Sequence, residues 1–207
     1  MSLFKKDLAE SFEEAIENRR SIYHIEPKSP ISDEAIEKII SDTVKHVPSA
    51  FNSQSTRVVL LLNDQHKKLW DITKDSLKEL MGPDRDFSET EQKINSFKAG
   101  YGTVLYYIDS KVTEGLQEKF AAYAPKFPLW AQQSNAMHQF AIWTAFANKG
   151  LGASLQHYDG VIDEKVASEF DIPATWELVA QMPFGSVGSE VGPKEFQPVE
   201  NRFIVKK

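Results

Sequence analysis

The sequence predicts a layered domain of mixed α and β structure, and three patterns predict it. Residues 58–62 form a continuous apolar run, and residues 103–108 (TVLYYI) form a β-branched and aromatic one. Both read as strands buried on two faces. Segments with helical apolar spacing separate them. The chain has 207 residues, 41% of them hydrophobic, with no repeat and no Gly-, Ser- or Pro-rich linker. It is expected to fold as one domain over residues 1–207.

Taken in order, Leu3, Leu8, Phe12, Ala15 and Ile16 recur at helix spacing among charges, so a helix opens the chain and stops near Arg19-Arg20-Ser21. Ser32-Asp33-Glu34 is a helix start, followed by Ile36, Ile39, Ile40, Val44 and Val47 on one face, and Pro48 ends it. After the 58–62 strand, residues 65–80 are helical until Gly82-Pro83, and residues 88–98 carry a less regular helical pattern. Helices are expected over 111–123 and 129–149, the second stopped by Gly150 and Gly152. Residues 176–182 (WELVAQM) alternate imperfectly and read as a strand. Residues 198–205 read as extended, and Phe203, Ile204 and Val205 need a groove on their own subunit or a partner.

Composition narrows the function classes. A net charge of −6 argues against a nucleic-acid partner. The absence of cysteine removes disulfides, thiolate metal sites and thiol catalysis. The five histidines show no metal-ligand spacing, and no G-x-S-x-G elbow raises serine catalysis. Without a long apolar stretch, the expectation is a soluble, cytoplasmic protein with no membrane partner. The aromatic content, 11% with 13 Phe and 4 Trp, suits a well-filled core, an oligomer interface or a planar ligand.

Four segments can carry chemistry. Arg19-Arg20-Ser21, followed by Tyr23, offers guanidinium forks and a hydroxyl that match a phosphate, although two arginines at a helix end also complement its dipole. Pro48-Ser49-Ala50-Phe51-Asn52-Ser53-Gln54-Ser55 combines hydroxyls with two amides that suit a heterocycle edge; as a turn it needs no ligand. Gly150-Leu151-Gly152 through Leu155, Gln156 and His157 can bring backbone N–H groups close to a ligand, or simply cap a helix before a strand. Lys194 and Arg202 are cations in an extended tail, where such residues are usually solvated.

The joint order of these segments resembles the FMN-dependent nitroreductase family, in its short yeast and bacterial subgroup. The carriers are Asn18-Arg19-Arg20-Ser21-Ile22, the 48–55 segment leading into the Val58 strand, and Pro128-Leu129-Trp130-Ala131-Gln132-Gln133-Ser134-Asn135 running to Gly150-Leu151-Gly152. Residues 153–158 and the tail from Lys194 to Arg202 complete the likeness, which spans roughly residues 12–205. It implies an α+β fold with a nitroreductase-like central sheet flanked by helices, in an intertwined homodimer with FMN bound at the subunit interface.

Carried over by position, Arg19 and Ser21 would hold the FMN phosphate and ribityl chain, with Arg20 and Tyr23 beside them. Pro48, Ser49, Ala50 and Asn52 would surround the isoalloxazine from the partner subunit, supported by Gln54. Leu155, Gln156 and His157 would approach the ring, and Lys194 or Arg202 would reach the phosphate. Tyr23, His157 and Phe196 stand where the family often carries a basic, an acidic and a basic residue, which bears on substrate and nicotinamide preference. The implied activity is an NAD(P)H oxidoreductase reducing a nitroaromatic, quinone or similar small aromatic electron acceptor by hydride transfer through the flavin. The alternative is a flavin-binding redox or regulatory module, linked for example to lipid or stress signalling, with incidental turnover.

Overall fold

The computed structural model describes residues 7–189 and 191–207. Along them run α1 (Phe12–Asn18), β1 (Ile25–Glu26), α2 (Asp33–His46), β2 (Thr56–Leu62), α3 (Asn63–Met81), α4 (Ser88–Lys98), β3 (Gly102–Asp109), α5 (Ser110–Lys119), α6 (Phe127–Asn148), β4 (Leu151–Ala153), α7 (Asp163–Glu169) and β5 (Trp176–Val187). The strands order β1-β5-β3-β2, with β4 also paired to β5, and every pair of strands is antiparallel. The fold is the α+β arrangement expected, a central sheet flanked by helices.

The apolar run of β3 is explained by its position. Every residue of the strand is buried, and its pleat serves two cores at once. Val104 and Tyr106 join Ile36, Ile40, Ile142, Phe146 and Phe184 under α2 and α6. Leu105 and Tyr107 join Leu69, Trp70, Ile94, Phe97 and Ile162 under α3, α4 and α7.

Local chemistry sets the element ends. Ser11 Oγ accepts from Glu14 N at 3.1 Å and starts α1 there, so the helix is shorter than its apolar spacing suggests. Leu8 and Ala9 instead donate their N–H groups to Asn148 at the far end of α6, and Leu8, Phe12 and Ile16 are exposed. Leu3 lies outside the described residues. Ser32 caps α2 as expected. α5 stops at Lys119 rather than continuing to residue 123, because residues Ala121–Lys126, with Pro125 among them, form a 3₁₀ turn leading into α6.

β5 runs five residues past Met182. Pro183 and Gly185 mask it in the sequence, yet Gly185 is required: a Cβ there would lie 2.2 Å from the Glu26 carbonyl oxygen of β1. The tail is extended except at Val199–Asn201, a 3₁₀ turn.

Behind β3, His66 is buried in a closed network. Its Nε2 lies 3.2 Å from the Lys98 carbonyl and its Nδ1 2.8 Å from Thr103 Oγ1, which also accepts from Trp70 Nε1 at 3.0 Å. The neutral Nε2–H tautomer satisfies every partner, and burial holds the imidazole pKa down at about 4. Because the folded state resists protonation, stability is whole above the unfolded value near ~6.5 and falls as pH drops toward 4, by about 3 kcal/mol in all. Urea unfolding between pH 7 and pH 4 is expected to show this slope, and His66→Gln to flatten it even if that variant starts less stable.

Candidate functional site

The candidate segments gather at the two ends of α6. At its C-terminal end, Ser21 makes a parallel bridge with Ala153 of β4, and Ile22 N–H donates to the Ala153 carbonyl at 2.9 Å. The 19–23 and 155–157 segments therefore lie along one edge. Arg19 caps α1 through its backbone, and its guanidinium sits 4.4 Å above the Trp143 ring. Burial, and secondarily the neighbouring Arg20, lower its pKa from the usual arginine value. Among the described residues neither arginine pairs with a carboxylate. Gln156 exchanges both backbone hydrogen bonds with Gln181, and its side chain turns inward to Ser154 Oγ. Leu155 is half-buried, whereas Tyr23 and His157 are exposed.

At the N-terminal end of α6 lies the amide loop. Ser49 Oγ accepts from Gln54 N–H at 2.9 Å, and the Ser49 carbonyl accepts from Asn52 N–H at 2.9 Å. Phe51, Asn52 and Gln54 all have φ between 50° and 57°, left-handed values unusual for non-glycine residues, with Ser53 between them in the right-handed region. The Phe51 ring anchors the loop, 4.9 Å from Phe120, 5.4 Å from Phe127 and 6.0 Å from both Tyr123 and Trp130. Half of Phe51 and half of Tyr123 remain exposed. The Asn52 amide is exposed and makes no side-chain hydrogen bond among the described residues. Pro48 and Ala50 frame this turn.

Phe51 stacks on Trp130 and Arg19 on Trp143, 13 residues apart on one helix, or about 20 Å at helical rise. The structure thus brings Arg19, Arg20 and Ser21 together with 155–157, and sets Pro48–Gln54 apart from them within the chain. Lys194 and Arg202 are exposed, with Lys194 Nζ 5.3 Å from the Phe196 ring. Phe203, Ile204 and Val205 are exposed as well. Alongside, the outer edge of β2 has no strand partner among the described residues, and a cleft of about 840 Å³ opens there against α2, lined by Val44, Val47, Val58 and Leu60.

Trp143 lies beneath Arg19. Residue order alone did not single out Tyr123, Phe127 or Arg57 for the site. The close spacing of Phe120, Tyr123, Phe127 and Trp130 was the available signal.

The central sheet flanked by helices makes this an α+β protein, with a cationic edge at Arg19 and Arg20 and a loop of left-handed residues at the other end of α6. The sequence profile of the nitroreductase family matches residues 16–186, and the chain belongs to that family. It is 36% identical to HBN1 of Saccharomyces cerevisiae over 180 residues (86% of this chain, 89% of the relative). It is 34% identical to the nitroreductase FRM2 of the same yeast over 174 residues (83% and 85%). Its fold matches the nitroreductase CinD from Lactococcus lactis, solved in complex with nicotinic acid, at a TM-score of 0.89 and 41% identity, covering 95% of this chain and all of that one. CinD has also been solved with chloramphenicol and with 4-nitrophenol. The protein is accordingly an NAD(P)H-dependent oxidoreductase of the nitroreductase type.

Arg57 braces the amide loop from below. Its guanidinium donates to the Gln54 carbonyl at 2.6 Å and to Asp109 Oδ2 at 2.9 Å. Arg57→Ala is expected to destabilise the fold by about 2–3 kcal/mol in urea unfolding, because it strands a largely buried carboxylate. Adding Asp109→Asn should restore part of that loss.

Proposed function

We propose that the protein is an FMN-dependent NAD(P)H oxidoreductase that acts as a homodimer and reduces flat aromatic acceptors such as nitroaromatics and quinones. The observation that carries this reading is the cationic edge. The Arg19 guanidinium, held on Trp143, pairs with no carboxylate among the described residues and stands beside the Ser21 hydroxyl and the second positive charge of Arg20, in a protein of net charge −6. That donor set fits a phosphate dianion, since charge-assisted forks are strongest on such a group. Bound FMN would supply hydride acceptance from NAD(P)H and delivery to the second substrate.

The chain's own residues have separable tasks. Arg19, fixed on Trp143, and Ser21 hold the phosphate. The backbone of Leu155, Gln156 and His157 flanks the ring. Asn52 presents an unengaged donor and acceptor from a loop already locked by Ser49, Arg57 and the Phe51 ring stack. The half-exposed faces of Phe51 and Tyr123 offer a stacking surface for a planar acceptor, in keeping with the aromatic ligands bound to the Lactococcus lactis relative.

The 20 Å between the two halves on one chain supports a site shared between two copies. So does the exposed Phe203-Ile204-Val205 tail, which suits the open β2 edge of a partner, where Val44, Val47, Val58 and Leu60 form the apolar part of a cleft that also carries Glu37, Lys45 and Arg57.

The purified protein is expected to show flavin absorption that bleaches with NADH or NADPH and returns on adding 4-nitrophenol or a quinone. A protein that neither carries nor takes up flavin would overturn the reading, as would a flavin that stays oxidised. Arg19→Ala should weaken FMN binding roughly ten- to a hundredfold, the worth of about 1.5–3 kcal/mol. Light scattering should report a dimer for the full chain and dissociation when residues 199–207 are removed.

A further inference from the structure

We propose that Arg20 is a positioning residue, a clamp that fixes the start of the C-terminal tail and so keeps Lys194 on the phosphate side of the site. The proposal rests on the FMN reading above.

The β1–β5 ladder pairs Ile25 with Val187 and Glu26 with Ser186. The same antiparallel register continues beyond the last paired strand residues. Gly188 N–H donates to the His24 carbonyl at 2.9 Å, and His24 Nδ1 meets Ser189 Oγ at 3.2 Å. The His24 ring lies so close over Gly188 that a Cβ there would be 2.9 Å from it. Four residues past the His24–Gly188 contact, in the same register, Arg20 Nη2 donates to the Gly192 carbonyl at 2.9 Å. Here a side chain does what a backbone ladder bond does earlier. Between these points Val191 shares with Arg20 and Ile22 the lining of a hollow of about 560 Å³.

Residues 186–189 thus lie against residues 24–26, and Arg20 holds Gly192 farther along the same register. Lys194 follows two residues later, at most about 7 Å of chain from the clamp. Were Arg20 released, the cation would be free to range with the rest of the exposed tail. Arg19 differs from its neighbour, since its guanidinium rests on Trp143 and makes no bond to the tail among the described residues.

The deciding experiment compares the full-length wild type, Arg20→Ala, Lys194→Ala and the double variant. FMN affinity is read by fluorescence titration of the flavin-free protein, and hydrogen exchange of residues 188–196 is read in its absence. Each single variant is expected to weaken FMN binding about tenfold, and the double variant to be no weaker than Lys194→Ala within about twofold, because Arg20 acts through Lys194. Arg20→Ala alone should speed exchange across 188–196 without FMN. Losses that multiply in the double variant would make Arg20 a direct phosphate ligand and overturn the proposal. Unchanged exchange in Arg20→Ala would overturn it too. A wild type that binds no FMN would overturn the functional reading and with it the role of Lys194, while the exchange comparison would still decide whether Arg20 clamps the tail.

Discussion

The seating of α6 on the sheet is the constraint on which both halves of the site depend. Ile142 and Phe146 are fully buried, and the Phe146 ring centroid lies 4.8 Å from that of Phe184 on β5. A polar lock adds register to this apolar contact. β3 is irregular between Tyr106 and Tyr107, and Asn135 Nδ2 donates to the Tyr107 carbonyl at 2.9 Å, itself held by Gln139 Nε2 at 2.7 Å. A one-residue slip would turn the helix by about 100°. Trp143 would leave Arg19, and Phe127 and Trp130 would leave Phe51. One helix therefore positions the cationic edge and the amide loop together, without either touching the other.

Electrostatics sets the second theme. Lysines on the outer helices are neutralised locally, as in Lys98 with Asp71 at 2.6 Å and Lys165 with Glu79 at 2.6 Å. Such exposed pairs contribute little to stability. Arg19 is a different case, because its charge is partly withdrawn from water, lies beside a like charge, and rests on the face of an indole with no carboxylate partner among the described residues. Repulsion between neighbouring guanidiniums is a standing cost that an anion would relieve, and partial burial strengthens that relief relative to open solvent. Anything anionic that seats there should also stabilise the folded state by mass action.

How much was legible follows from which signals were local. The buried strand β3 and the capped helix α2 were readable because burial on two faces and an N-cap serine leave a direct imprint on residue order. β2 was readable as a strand, but it lies at the sheet edge with only Leu61 of its apolar run buried, not buried on two faces as the run suggested. The far half of β5 was not, since Pro183 and Gly185 contradict strand propensity and are tolerated only through the close approach of β1. α7 and the two-residue β1 were also missed, being too short for periodicity to show. The arginines, the amide loop and the third segment were legible by type and order. Their division between opposite ends of one helix was not, because it depends on long-range packing. The Arg57–Asp109 brace spans 52 residues and has no sequence signature at all.

The amide loop shows why such a brace is needed. Left-handed backbone at Phe51, Asn52 and Gln54 costs of order 1–3 kcal/mol per residue, and asparagine tolerates it better than phenylalanine. Phe51 sits there regardless, so its side chain must compensate. Its ring contacts with Phe120, Phe127 and Trp130 offer that compensation, and an aromatic pair contributes about 0.5–1.5 kcal/mol beyond the area it buries. Ser49 Oγ and Arg57 then occupy the N–H and the carbonyl of Gln54 respectively. With its own backbone groups satisfied in this way, the loop has no reason to turn the Asn52 amide inward. A donor and an acceptor are thus left facing solvent on a backbone already held in place, so a partner group would order only the Asn52 side chain and not the loop that carries it.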